Sequence, residues 1–173
     1  SAATGGYNTA VGGLAGYRNA TGANNTSLGF SALEGVASNN HSNNTAIGYR
    51  SNELVTTGAS NITIGANSGD NITSGDGNVI IGSIDAGSAT GDTQLIIADG
   101  VDGSVKWIDG DSSGNVTMPA ELAAVSLDIS GAIDVDGTTN LDAVDIDGAV
   151  QIDGTVTVGV DDTGLDVKFF GAS

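Results

Sequence analysis

The sequence predicts an all-β chain that opens as a stack of short repeated coils, a β-solenoid, and continues as short acidic β-repeats. Three observations carry this expectation. An Asn-to-Gly pentamer returns at nearly constant spacing. Bulky core-filling residues are scarce, with three Phe, three Tyr, one Trp and one Met in 173 residues. Glycine is abundant at 28 residues, and apolar content rests on Ala, Val, Ile and Leu, which favours short strands and tight turns around a thin core.

The coils come first. Aligned on their first residue, the pentamers are NTAVG at Asn8, NTSLG at Asn25, NTAIG at Asn44, NITIG at Asn61 and NVIIG at Asn78, with a degenerate sixth, QLIIA, at Gln94. The steps between them are 17, 19, 17, 17 and 16 residues. One strand-like pentamer and one Gly/Ser/Asn-rich return per short period is the signature of a solenoid. Side chains alternate along a strand, so Thr45 and Ile47 share one face while Asn44 and Ala46 share the other. Stacking then aligns Val11, Leu28, Ile47, Ile64 and Ile81 in an apolar column and the five asparagines in a polar one. Gly12, Gly29, Gly48, Gly65 and Gly82 suit corners where neighbouring backbones approach closely. Residues 1–98 are assigned to this solenoid.

Residues 99–126 read as a connector, in which PAELAAV after Pro119 is the one candidate for a turn of helix. Residues 127–173 form the acidic segment. There LDISGA from Leu127, IDVDGT from Ile133, VDIDGA from Val144 and VQIDGT from Val150 read as short strands punctuated by glycines. Val144 and Ile146 share one face of such a strand, and Asp145 and Asp147 the other. A single chain of these strands has little apolar area with which to close a core.

Charge excludes several partners. The formal net charge is −17, and 16 of the 21 acids follow residue 86, against only Lys106 and Lys168. No basic stripe is present to neutralise phosphates, so nucleic acid and anionic membrane are both disfavoured. No apolar run reaches the ~20 residues of a membrane span, so membrane insertion is not expected. The absence of Cys removes disulfides and thiolate metal sites.

Each chemical motif has a plainer structural account. GDSSG, Gly110–Gly114, fits the loose G-x-S-x-G pattern around Ser112, but without the strand-turn-helix setting of a nucleophile elbow a turn between two strands accounts for it better. His41, the only histidine, lies in the long return SNNHSNN and reads as solvated. Asp109, Asp111 and Ser113 occupy the first, third and fifth positions of an EF-hand-like loop with Gly114 sixth, yet the twelfth is Ala120 rather than Glu. Asn-x-Ser/Thr occurs eight times, Asn25, Asn61 and Asn115 among them, and a stacked Asn ladder explains most of these without a glycan. The two GYR tripeptides, at Gly16 and Gly48, fall at different phases of the coil and so do not form a paired site. The sequence therefore nominates no catalytic, cofactor-binding or metal-ligating residue, and an enzyme is not expected.

The series NTSLGFSAL, NTAIGYRSN and NITIGANSG resembles the head repeats of YadA-type trimeric adhesins and the similar repeats of bacteriophage tail fibres. WIDGDSSGNVTMP, from Trp107, is similar to a connector of tail-fibre proteins, and the stretch from Gly137 to the end resembles acidic modules of structural fibres in marine phages. This resemblance, together with the thin apolar strip, implies a parallel homotrimer in which three chains pool their Val/Ile faces and place the aspartates outside. It further implies a structural segment of a viral tail fibre that extends a host-receptor-binding tip. Its partners would be other virion tail or baseplate proteins and a host cell-surface receptor, and its place the extracellular virion. The alternatives are a bacterial trimeric autotransporter adhesin on the cell surface and a polysaccharide-degrading tailspike. The chain is expected to be an excerpt of a longer fibre, with binding specificity in the return loops, above all Glu34–Asn43, whose shortening between Ser38 and Ser42 should spare assembly.

Overall fold

The structure is a computed structural model. It describes residues 5–36, 39–119, 121–124, 126–130, 132, 133, 135, 146 and 148–155. The chain divides into two compact units, Ser1–Val125 and Ser126–Ser173.

The first unit is a parallel β-solenoid of about five turns. Its strands are β1 (Thr9–Val11), β2 (Thr26–Leu28), β3 (Thr45–Ile47), β4 (Ile62–Ile64), β5 (Val79–Ile81) and β6 (Leu95–Ala98). Each pairs in parallel with the next, so Val11, Leu28, Ile47 and Ile64 stand in register, as do Thr9, Thr26, Thr45 and Ile62. The direction then reverses. β7 (Lys106–Gly110) pairs antiparallel with β6, and β8 (Val116–Thr117) antiparallel with β7, completing one eight-stranded sheet. The β6 edge is thus occupied by a hairpin instead of another coil.

The asparagines hold the coils together from inside. Each ladder residue's backbone N–H donates to the side-chain oxygen of the rung before it: Asn25 to Asn8 (2.9 Å), Asn44 to Asn25 (3.0 Å), Asn61 to Asn44 (2.9 Å), Asn78 to Asn61 (2.9 Å) and Gln94 to Asn78 (2.9 Å). The side-chain nitrogens of the asparagine rungs donate forward to a carbonyl of the following coil, as Asn44 does to Gly58 (2.9 Å) and Asn61 to Gly75 (2.8 Å). These amides are buried, so the ladder satisfies backbone groups that water cannot reach. The apolar filling is thin: Ala32, Leu33, Ala46 and Val55 form one cluster, and Ile72, Ile80, Ala86, Ile96 and Ala98 another.

Alternation along the strands resolves which face is inward. Asn44 and Ala46 point into the coil and are fully buried, whereas the Val11–Leu28–Ile47–Ile64 column faces out; Val11 is 56% exposed and Leu28 46%. The corners turn without any helix. The residue before every rung, Tyr7, Asn24, Asn43, Ser60, Gly77 and Thr93, has a left-handed backbone with φ between 53° and 68°. At the pentamer's end Gly48 has φ 137°, and a Cβ there would strike the carbonyl of Gly65. Only glycine fits such a position.

One sequence expectation is corrected. Residues 121–124 are not helical, so the turn of helix proposed for PAELAAV does not form within the described residues. Glu121, Leu122, Ala123 and Ala124 are all exposed, and a single helical turn is not stable without packing to support it. Among the described residues none beyond Thr117 belongs to a strand. Leu127, Val150 and Ile152 of LDISGA and VQIDGT are exposed, and such short segments do not hold a ladder without a packed partner. Most of IDVDGT and VDIDGA, including Asp134, Asp136, Asp145 and Asp147, lies outside the described residues, as does everything from residue 156 onward.

Candidate functional site

The features that could engage another molecule lie on the solenoid's outside and at its first coil. The outer sheet face carries two parallel ranks. One is Val11, Leu28, Ile47, Ile64, Ile81 and Ile97; the other is Thr9, Thr26, Thr45, Ile62, Val79 and Leu95. No charged residue interrupts either rank. At the adjoining corner the rings of Phe30 and Tyr49, each about half exposed, stack with centroids 5.8 Å apart and planes inclined by 14°. Registered strands place these side chains one above another: the first rank is apolar throughout, the second begins with three threonines, and Val11, Leu28, Ile62 and Ile64 are exposed while Ile47, Val79, Ile81, Leu95 and Ile97 are half-buried. Exposed apolar side chains aligned in this way are a candidate surface for meeting another surface.

At β1 a cavity of about 420 Å³ opens between Asn8, Asn19, Asn25 and Ser27, flanked by Tyr7 and Tyr17. The polar side chains there are already committed to the ladder: Asn8 Nδ2 donates to Gly22, and its Oδ1 accepts from Asn25. A second, shallower groove of about 600 Å³ is lined by Arg50, Asn67, Asp70, Ser83, Asp85 and Asp102. In it the Asp70 carboxyl is pushed up to about 6, first by burial and then by its hydrogen bond to Asp85 and the negative charge of that neighbour.

This pair gives a pH prediction. The folded Asp70 holds its proton more tightly than the unfolded chain does, so its contribution to stability falls as pH rises from about 4 to about 6. Asp85→Asn should bring the Asp70 titration midpoint down toward the ordinary carboxyl range, stopping short of it because burial remains. Carboxyl-carbon NMR titration of both proteins measures this; an unchanged midpoint would show that Asp85 does not act on Asp70.

The residues weighed in the sequence are found apart. Ser112 sits in the exposed turn between β7 and β8, as the turn reading of GDSSG expects. Asp111 caps that turn, accepting from the N–H groups of Ser113 (2.9 Å) and Asn115 (3.0 Å) and from the Asn115 side chain (2.9 Å). Those bonds, the Asn115 side chain foremost, hold its carboxyl below the usual range. Asp109 pairs instead with Lys106 at 2.8 Å. The EF-hand-like spacing therefore does not converge on one point, and Ala120 lies outside the described residues. Among the described residues no group of three His, Cys, Asp or Glu is placed to hold a metal ion. The two GYR segments make separate ion pairs, Arg18 with Glu34 at 3.5 Å and Arg50 with Glu53 at 2.5 Å. Asn25 and Asn61 are buried with their side-chain nitrogens engaged, so the folded coil offers neither to a glycan.

His41 corrects the sequence reading. It is not solvated: its relative exposure is 0%, and neither ring nitrogen has a hydrogen-bond partner. Desolvation by burial lowers its pKa to about 4. Asn39 in the same return is buried too, with its Nδ2 donating to the Val55 carbonyl at 2.5 Å. Shortening this return removes interior residues, so the expectation that assembly would be spared is withdrawn. Among the described residues no helix is long and apolar enough to cross a membrane. No family model, no curated protein and no solved structure matches the chain.

Proposed function

We propose that this chain is a structural segment of a trimeric viral tail fibre, holding a receptor-binding element away from the particle. The observation that supports this reading is the uncharged double rank on the outer sheet face, which leaves Leu28, Ile62 and Ile64 exposed on an isolated chain. A parallel stack presents the same rank at every coil, so copies meeting face to face around an axis bury it along its whole length. The resemblance of the repeats to trimeric fibre modules selects three copies. The Asn ladder supplies stiffness, and the acids keep assembled fibres from associating laterally.

Light scattering on the full chain tests the assembly. The expected mass is three times the 16.9 kDa of one chain, and a stable folded monomer would overturn the reading. The acidic half adds a second expectation. Mutual repulsion among its carboxylates is screened as ionic strength rises, the screening length shrinking from about 10 Å at 0.1 M to about 3 Å at 1 M. Melting temperature should climb gradually with sodium chloride, and calcium should add little at matched ionic strength. Strong stabilisation by micromolar calcium would identify a metal-clamped rod instead.

A further inference from the structure

We propose that His41 makes the second coil an acid-labile joint: below neutral pH its ring takes up a proton, leaves the interior, and parts β2 from β3 while the later coils stay closed. The placement of this histidine carries the argument. Three residues before each other rung stands a glycine, namely Gly5, Gly22, Gly58, Gly75 and Gly91; before the third rung, Asn44, stands His41. Its carbonyl performs the duty of that column, accepting from Asn25 Nδ2 at 2.9 Å as the Gly58 carbonyl accepts from Asn44. Its side chain has no counterpart in the column. The coil that contains it is also two residues longer than its neighbours of 17, which supplies the backbone needed to seat a ring where other coils admit none.

The seat suits only a neutral ring. His41 is fully buried, both its nitrogens lack partners, and Asn39 Oδ1 beside it in sequence is likewise unpartnered. No charged residue occurs in the surrounding stretches 21–29, 35–45 and 54–58. In the adjoining returns Arg18 is paired with Glu34 and Arg50 with Glu53. A proton on the ring therefore meets no counter-charge, and burial alone displaces its pKa. Opening here has a defined consequence. Losing the His41 carbonyl leaves Asn25 Nδ2 with Asn8 Oδ1 as its one acceptor, and Asn25 also holds the N–H of Asn44, so the ladder is loosened at one rung.

The sign follows from the two pKa values. The opened or unfolded ring titrates near 6.5 and the seated ring near 4, so between those values the open form binds more protons and stability falls as pH falls. Opening should increase on the order of a hundredfold between pH 6.5 and pH 4. Asp70 works in the opposite direction over the same interval and cannot mimic the effect.

Hydrogen exchange on the full chain, read as protection factors at pH 7, 5 and 4, tests this. Amides of residues 22–25 and 39–44 should lose protection in acid while those of 61–81 keep theirs, with full recovery on return to pH 7. His41→Leu should keep protection flat across the range, and His41→Asn serves the same purpose if the leucine variant fails to fold. An acid loss shared equally by all coils, no loss at all in the wild-type chain, or the same local loss in a folded His41 variant would each overturn the joint.

Discussion

Gly48→Ala is expected to lower the melting temperature steeply, the largest effect of any single substitution considered. Gly48 has φ 137°, and the added methyl would be driven into the carbonyl of Gly65 in the next coil. Backbone strain at such a position costs about 1–3 kcal/mol, and overpacking against a rigid backbone oxygen adds about as much again. A total near 4 kcal/mol is a large fraction of the ~5–15 kcal/mol that holds a domain folded. The strain also cannot be confined. β3 cannot shift away from β4 without lengthening the hydrogen bond from Gly65 N to the Ile47 carbonyl, now 2.8 Å. Gly100→Ala is the control, because nothing lies within 4 Å of a Cβ there. Circular dichroism melts of the two variants read the difference, and a Gly48→Ala protein that melts with the wild type would contradict the close-approach account of the glycine column.

Leu28→Asp combined with Ile64→Asp is expected to convert trimers into folded monomers. Both residues are exposed on the single chain, Leu28 by 46% and Ile64 by 37%, so aspartate at these sites stays hydrated in a lone solenoid and leaves its interior untouched. In the proposed assembly each chain contributes two carboxylates to an apolar seam with no cation on either rank. Burying them costs on the order of several kcal/mol each, and threefold symmetry repeats that cost around the axis. Light scattering should report a single-chain mass while circular dichroism keeps the wild-type β signal. Persistence of the trimer would move the contact elsewhere, and the exposed Ile146 of the acidic segment, through Ile146→Asp, is then the next position to vary.

The period of the repeat made the strands and their register legible: the five Asn-to-Gly pentamers predict the pairing of Ile47 with Ile64 directly. Alternation assigned Asn44 and Ala46 to one face, yet it is symmetric and does not say which face is inside. Hydropathy alone would favour Ile47. The interior instead takes Asn44 because a narrow coil must satisfy its own backbone, and a side-chain amide does this where an isoleucine cannot. His41 was misread for a related reason, since a histidine among asparagines and serines has the composition of a solvated loop. Its signal lay in position, at the place where every other coil has glycine. The Asp70–Asp85 pair was not legible, because its meeting depends on how the corners of two successive coils superimpose. The reversal at β7 left no trace in a repeat analysis either, KWIDG being outside the period.

The ladder has one more consequence, for how such a chain changes length over generations. From Asn25 to Gln94 every rung donates its backbone N–H to the side-chain oxygen of the rung before it, so the junction between one coil and the next is the same along the stack. Duplicating or excising a whole unit, such as the 17 residues from Asn44 to Ser60, recreates every junction at the splice, and the gene can lengthen or trim the rod in steps of one coil. A lone inserted residue has no such freedom inside a pentamer, where it would throw the amide out of line with its neighbours. It survives only in a return, and the 19-residue coil containing His41 is a case of that tolerance preserved in the chain.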